Sequence, residues 1–338
     1  MKIQTVTGLV AENSAGQVVD VPAYRLASPG ETDIAGRPVD VIEAEESAGG
    51  VPMRFATGKA AQNIAGQWVD TIPVSFGARP PESRAVLAGT EGLGFSAHSF
   101  LYQAVAPGDF GDLGAYWTGG LHINYAEFSS LGQRWDANGS DRTAEYDGAL
   151  IVTEIGDLET GLADPASPQG IDTLQHLYWY ALTAQAKGCK LLGIYIPHSP
   201  EGVNIDADAL EKVQYWLDWL RARPEITIPV YAIPAPVMVR AMVDQFAPTS
   251  IYADGLHLRT PAYPAPNQMN NAMGQMVRMF LTGARSADDP SWNAELVGLV
   301  DTAWGILQAY EMTGLGGDTV VAPYPVAADP LPNPDPLP

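Results

Sequence analysis

Beyond residue 80 or so, short apolar runs alternate with amphipathic stretches, and this alternation constrains the fold more than any other feature. The runs cover residues 85–89, 149–154, 190–196 and 228–233. Between and after them, residues 172–186, 208–222, 269–281 and 294–310 carry apolar side chains at helical spacing. In the second of these, Leu210, Val213, Trp216, Leu217 and Leu220 fall on one face, and Asp206 or Asp208 is placed to cap it. Apolar strands interleaved with helices predict an α/β chain, a three-layer α/β/α domain whose parallel sheet is covered on both faces. Ligands of such sheets sit beyond the C-terminal strand ends. Ser99, the Gly119 loop, Glu154 and Asp254 all follow candidate strands.

Residues 1–80 read differently, as short strands between Gly, Pro and Asp. Ala15-Gly16-Gln17-Val18-Val19-Asp20-Val21 is echoed by Ala35-Gly36-Arg37-Pro38-Val39-Asp40-Val41 and by Ala65-Gly66-Gln67-Trp68-Val69-Asp70-Thr71. Each copy is a turn pair followed by a β-rich run that cannot bury both faces alone. The region resembles the small β modules that anchor surface proteins to phage and phage-like particles; an ordinary β-rich accessory domain fits the pattern as well. The expected organisation is therefore a β module over 1–80, a main domain over 81–315 and a Pro-rich tail over 316–338. The tail is expected to extend into solvent or along a neighbouring subunit.

With 18 basic against 39 acidic residues, the net charge of −21 repels phosphate backbones and anionic lipid. Neither nucleic-acid binding nor membrane insertion is expected. The first residues lack the apolar core of a secretory signal, so the chain is expected to be made in the cytoplasm without a signal peptide. Cys189 is the single cysteine, which excludes an internal disulfide and reads as a small core residue.

The most chemically suggestive run is Asp254-Gly255-Leu256-His257. An Asp three residues before a His on a turn can fix the imidazole tautomer and leave the ring as a general base. A base needs a nucleophile, and Phe95-Ser96-Ala97-His98-Ser99-Phe100-Leu101 offers one far upstream. A Ser near the start of a domain with Asp-x-x-His near its end resembles the SGNH (GDSL-like) hydrolases, esterases and carbohydrate deacetylases. The resemblance runs over about residues 85–283. It implies Ser99 as nucleophile in Ala97-His98-Ser99, where Ala and His replace the family's Gly and its acid or amide. Two alternatives stay open: Ser96, which half-matches a Gly-x-Ser-x-Gly elbow, and Gly89-Thr90-Glu91 in that block, which leaves no serine nucleophile. The resemblance also implies Asp254 and His257 as acid and base, and Gly119 or Gly120 as the oxyanion-binding glycine. Glu154 falls where the family's oxyanion-binding Asn is expected. An ionised Glu cannot donate a hydrogen bond there, and losing such a donor costs ~10²–10³ in rate.

No cofactor and no metal is expected; Asp172 and His176 form an i, i+4 pair without a third ligand in step. His122 and His198 are expected at strand ends, placed to line the cleft. Tyr116, Trp117, Tyr125, Trp135, Tyr252 and Tyr263 fall in loops that suit sugar faces. The resulting expectation is a homo-oligomeric component on the surface of a phage-like particle (a virion protein, alongside other particle structural proteins). Its SGNH-like domain binds cell-surface polysaccharide and, where the site is active, deacetylates it. The alternative is a free serine esterase acting on an acylated glycan.

Overall fold

In a computed structural model the described residues are 84–107, 112–138, 140–246, 251–259 and 269–338, together with the backbone of six short strands before them. The chain divides into two units, Met1–Arg79 and Pro80–Pro338.

The first unit holds three two-stranded antiparallel hairpins. β1 (Ala11–Glu12) pairs with β2 (Val18–Val19), β3 (Asp40–Ala44) with β4 (Met53–Thr57), and β5 (Lys59–Gln62) with β6 (Trp68–Thr71). Each copy of the sequence repeat supplies residues to one strand of a different hairpin.

The second unit is built on five parallel strands: β7 (Leu93–Ala97), β8 (Leu121–Tyr125), β9 (Ala149–Val152), β10 (Leu191–Tyr195) and β11 (Val230–Ile233). Their spatial order is β11-β10-β9-β7-β8. Helices α1 (Ser99–Val105), α2 (Leu131–Asn138), α3 (Ser140–Thr143), α4 (Pro168–Ala186), α5 (Asp206–Arg221), α6 (Ala235–Gln245), α7 (Met269–Thr282) and α8 (Ala294–Ala309) surround it. Two apolar clusters form, one on each face of the sheet. Phe95, Ile151, Tyr195 and Phe280 belong to one; Leu150, Leu192, Trp216 and Leu220 belong to the other. The α/β expectation from sequence therefore holds: strands buried on both faces read as unbroken apolar runs.

Three local expectations change. Residues 85–89 form no strand and Val86 is 56% exposed. The first strand is instead Leu93–Ala97, whose Gly94 is required because a Cβ there would lie 2.8 Å from the Tyr146 ring. The edge strand β8, with polar His and Asn between Leu, Ile and Tyr, carries a period-two pattern that a search for unbroken apolar runs passes over. Neither Asp206 nor Asp208 caps α5: Asp206 accepts from the Ser199 hydroxyl and N–H at 2.5 and 3.0 Å, and Asp208 pairs with Lys212 at 2.7 Å.

The Pro-rich tail makes contacts within the chain. It lies on α4 and α5 of its own unit. Gln175 pairs with the backbone N–H and C=O of Asp335 at 2.7 and 3.0 Å, and the Trp179 indole donates to the carbonyls of Asp335 and Pro336. Arg223 and Trp219 both donate to Asp329, at 2.5 and 2.9 Å. A segment rich in proline makes few hydrogen bonds of its own, so its carbonyls are available to side chains that flank it.

Candidate functional site

Because β7, the first strand of this sheet along the chain, lies between β8 and β9, the sheet is extended first on one side of it and then on the other. The crevice beyond the carboxyl ends of β7 and β9 is thus the topological switch point of the sheet. His98 and Ser99 follow β7 directly, and Thr153 and Glu154 follow β9. A cleft opens there, lined by Ser99, Phe100, Phe128, Ile155, Leu158 and His198, and also by Leu162, Pro197 and Ile205. Its enclosed part, about 20 Å³, has room for about one water.

Ser99 is the first residue of α1 and only 5% exposed. His98 caps the helix, its Nδ1 accepting from the Phe100 N–H at 3.3 Å. The proton is then on Nε2, which faces the Glu154 carbonyl and the Thr153 hydroxyl, both at 3.1 Å. Burial, with Arg134 adding to it, drives the His98 pKa well below its usual value and keeps the ring neutral. His98 thereby performs the capping an acid or amide would. Ala97 ends an extended strand and is not among the described residues with positive φ, so its methyl does not obstruct the turn.

Ser96 is fully buried and committed elsewhere. Its hydroxyl accepts from Arg134 Nε at 2.9 Å and bonds the Tyr180 hydroxyl at 2.8 Å. Of the two serines, Ser99 alone reaches the cleft. Glu91 of the third alternative sits near the opposite, N-terminal end of β7. Burial raises its carboxyl, but Lys190 and the N–H groups of Ala88, Gly89 and Thr90 outweigh that and hold it down at about 2.

The Asp254–His257 turn closes locally. Gly255 takes φ of 82°, Asp254 Oδ1 accepts from the N–H groups of Leu256 and His257 at 3.0 and 2.7 Å, and Oδ2 accepts from His257 Nδ1 at 2.8 Å. Burial raises the Asp254 carboxyl, yet these bonds prevail and hold it below its usual value. With Nδ1–H given to Asp254, the lone pair of the neutral ring is on Nε2, which is buried and has no partner among the described residues. The Ser99–His257 hydrogen bond expected from the sequence is therefore not made. The two halves of the site meet through Phe100: the His257 ring stands edge-on to it at 5.9 Å, and His198 stacks on it at 4.1 Å. His198 donates from Nε2 to the Leu256 carbonyl at 3.3 Å, and burial lowers its pKa to about 4.

Three sequence assignments are corrected. Gly119 and Gly120 precede β8, so in a parallel sheet they lie at the end opposite Ser99. The Gly119 N–H is spent on the Gly89 carbonyl at 3.2 Å, and a Cβ there would overlap the Glu91 carbonyl. They cannot bind an oxyanion at Ser99. Glu154 turns away from the cleft: its carboxylate accepts from the Leu131 N–H at the start of α2, from the Ile155 N–H at 2.7 Å and from the Thr173 hydroxyl at 3.0 Å. Burial pushes its pKa up to about 7. Finally, Trp117, Trp135 and Tyr252 are buried, and Tyr116 precedes β8. Tyr125, 40% exposed and stacked on Tyr102 at 4.1 Å, is the one of that group exposed at the C-terminal strand ends; Tyr263 lies outside the described residues. His122 likewise misses the cleft and faces Asp141 at 3.5 Å.

Sequence reasoning passed over Phe128 and Arg134. Arg134 is 1% exposed and ties the strand ends together, donating to Ser96, to the Ser129 hydroxyl at 2.9 Å, and to the carbonyls of Ser129 and Thr153. Nothing in its local sequence marks it; only the fold gathers those acceptors. Cys189 is a core thiol raised by burial to about 12, and His176 Nδ1 bonds the Asp172 carbonyl at 2.8 Å. Among the described residues no three His, Cys, Asp or Glu gather to hold a metal, and no helix is long and apolar enough to cross a membrane.

No family model and no curated protein matches the chain. Among solved structures it is similar to a protein from Slackia heliotrinireducens provisionally described as an SGNH hydrolase. The TM-score is 0.35 at 12% identity, over 54% of this chain and 96% of that one. A likeness of this size fixes neither family nor activity.

Proposed function

We propose that the cleft at the switch point is a serine-esterase site for esters of small acyl groups. Ser99 attacks the carbonyl carbon, and Nε2 of His257 takes the hydroxyl proton as the Oγ–C bond forms. Asp254 stabilises the imidazolium. Collapse of the tetrahedral species expels the alcohol, which leaves with that proton. Water then attacks the acyl-enzyme by the same route and restores Ser99. The Ser99 backbone N–H at the start of α1 is the oxyanion donor this reading retains.

The observation that carries the reading is the state of His257. One nitrogen is fixed by a carboxylate and the other is bare and buried, in a ring 5.9 Å from that of Phe100, the neighbour of Ser99 in the chain. A serine needs only a change of staggered rotamer to move its hydroxyl, and catalytic hydrogen bonds commonly tighten only with substrate bound. Labelling with a fluorophosphonate tests it: the Ser99 peptide should carry the adduct, and Ser99→Ala and His257→Ala should each abolish hydrolysis of p-nitrophenyl acetate. An unlabelled parent, or a Ser99→Ala chain as active as the parent, rejects the proposal.

The finer reading, a particle-surface component that binds glycan, draws on the N-terminal repeat and on the exposed Tyr125–Tyr102 stack, a flat platform for a sugar face. Binding of the parent but not of Tyr125→Ala to immobilised acetylated polysaccharide is the expected result.

A further inference from the structure

Phe128 combines two unfavourable features in one residue. Its φ is 49°, in the left-handed region where a bulky side chain is strained, and it is 50% exposed. Among the described residues it shares positive φ, outside glycine, only with Asp112, whose side chain caps a 3₁₀ turn. Such strain persists only where surrounding contacts over-determine the backbone. Here they do. Arg134 grips both the carbonyl and the hydroxyl of Ser129, the next residue, and that hydroxyl donates to the Ala126 carbonyl at 2.6 Å. The clamp holds the loop after β8 so that Phe128 stands at the mouth of the Ser99 cleft, with Leu158, 40% exposed, also in its lining. The ring is thus held in a costly backbone state to cover half-wet space, which packing of the free protein does not require.

We infer that Phe128 is the specificity-determining residue of the Ser99 site, and that it receives the outer carbons of a short linear acyl chain. The inference rests on the esterase reading for the chemistry, but not for the binding. The enclosed space of about 20 Å³ has room for about one group of water size, such as the carbonyl end of an ester. A chain of four to six carbons must continue outward, and the surface it meets is the ring of Phe128 and the side chain of Leu158. The remaining lining is mainly apolar, with Ile155, Leu162, Pro197 and Ile205, and its polar side chains are His98, Asp157 and His198.

The test compares Phe128→Gly, which fits the left-handed backbone, with Phe128→Tyr, which keeps the ring. In the parent, kcat/KM should rise from p-nitrophenyl acetate to p-nitrophenyl butyrate. Phe128→Gly should remove that increment through KM, by about tenfold, and Phe128→Tyr should restore it. The Tm of Phe128→Gly should be held or raised, because a ring kept for packing would lower it. An increment that survives Phe128→Gly, or a parent that hydrolyses both esters without one, overturns the inference. If the parent hydrolyses neither ester, the increment cannot be read and binding decides instead. Methyl butyrate should give saturation-transfer signals with the parent and lose them with Phe128→Gly; no signal with the parent overturns it.

Discussion

The carboxylate of Asp254 holds Nδ1 of His257 at 2.8 Å, while Nε2 of the same ring is buried without a partner. A ring fixed on one side and bare on the other has its lone pair aimed at whatever enters. Asp254→Asn should undo this, since an amide donor facing Nδ1 selects the opposite tautomer. Turnover of p-nitrophenyl acetate should fall by about 10²–10⁴ with Tm nearly unchanged, as judged by kinetics beside a thermal melt. Retained turnover would remove His257 from the chemistry.

Stability should fall with rising pH on account of Glu154. Its carboxyl is raised to about 7 in the folded chain by burial, against roughly 4.3 when unfolded. Between those values the folded state binds more protons than the unfolded one, so the stability this group contributes is lost as pH climbs and is level above about 7. At ~1.4 kcal/mol per unit, the span is about 4 kcal/mol. Glu154→Gln should flatten that slope in urea titrations from pH 4.5 to 7.5; an unchanged slope would show that the carboxyl titrates normally.

Removing Arg134 should be among the costliest changes available. It leaves Ser96, Ser129 and Thr153 without their donor and Asp141 without a buried counter-charge. Arg134→Met should lose about 3–5 kcal/mol in denaturant unfolding. Arg134→Lys should not rescue it, because one ammonium cannot reproduce a planar fork gripping several acceptors. Recovery with Lys would refute the clamp.

The tail should be held by its flanking side chains in addition to the packing of Val326 and Leu331 on the core. Arg223→Gln removes donors to Asp329, Leu331 and Pro332, and Trp179→Phe removes those to Asp335 and Pro336. Each should speed proteolytic cutting after residue 326, read by mass spectrometry, at a global cost of about 1 kcal/mol. Equal cutting rates in all three chains would mean that those bonds hold nothing.

Much of the fold and part of the site are legible in the sequence, and the division follows range. Strands buried on both faces must be apolar throughout, so 149–152, 191–195 and 230–233 announce themselves, as do the helices beside them. The Asp254–His257 pair is also local: three residues and a Gly able to take positive φ suffice to build it. What depends on strand direction and register could not be read. A Gly-Gly turn looks the same before a strand as after one, yet in a parallel sheet the two lie at opposite ends, which removed Gly119 and Gly120 from the site. Ser96 and Ser99 are equally plausible as letters. Alternation along a strand and the meeting with Arg134 and Tyr180 send one into the interior, and the other to the cleft. Glu154 and the Pro-rich tail acquired their roles from partners about twenty to more than a hundred residues away, and Phe128 joins a cleft built by Ser99 and Leu158, contacts that only the folded chain brings together.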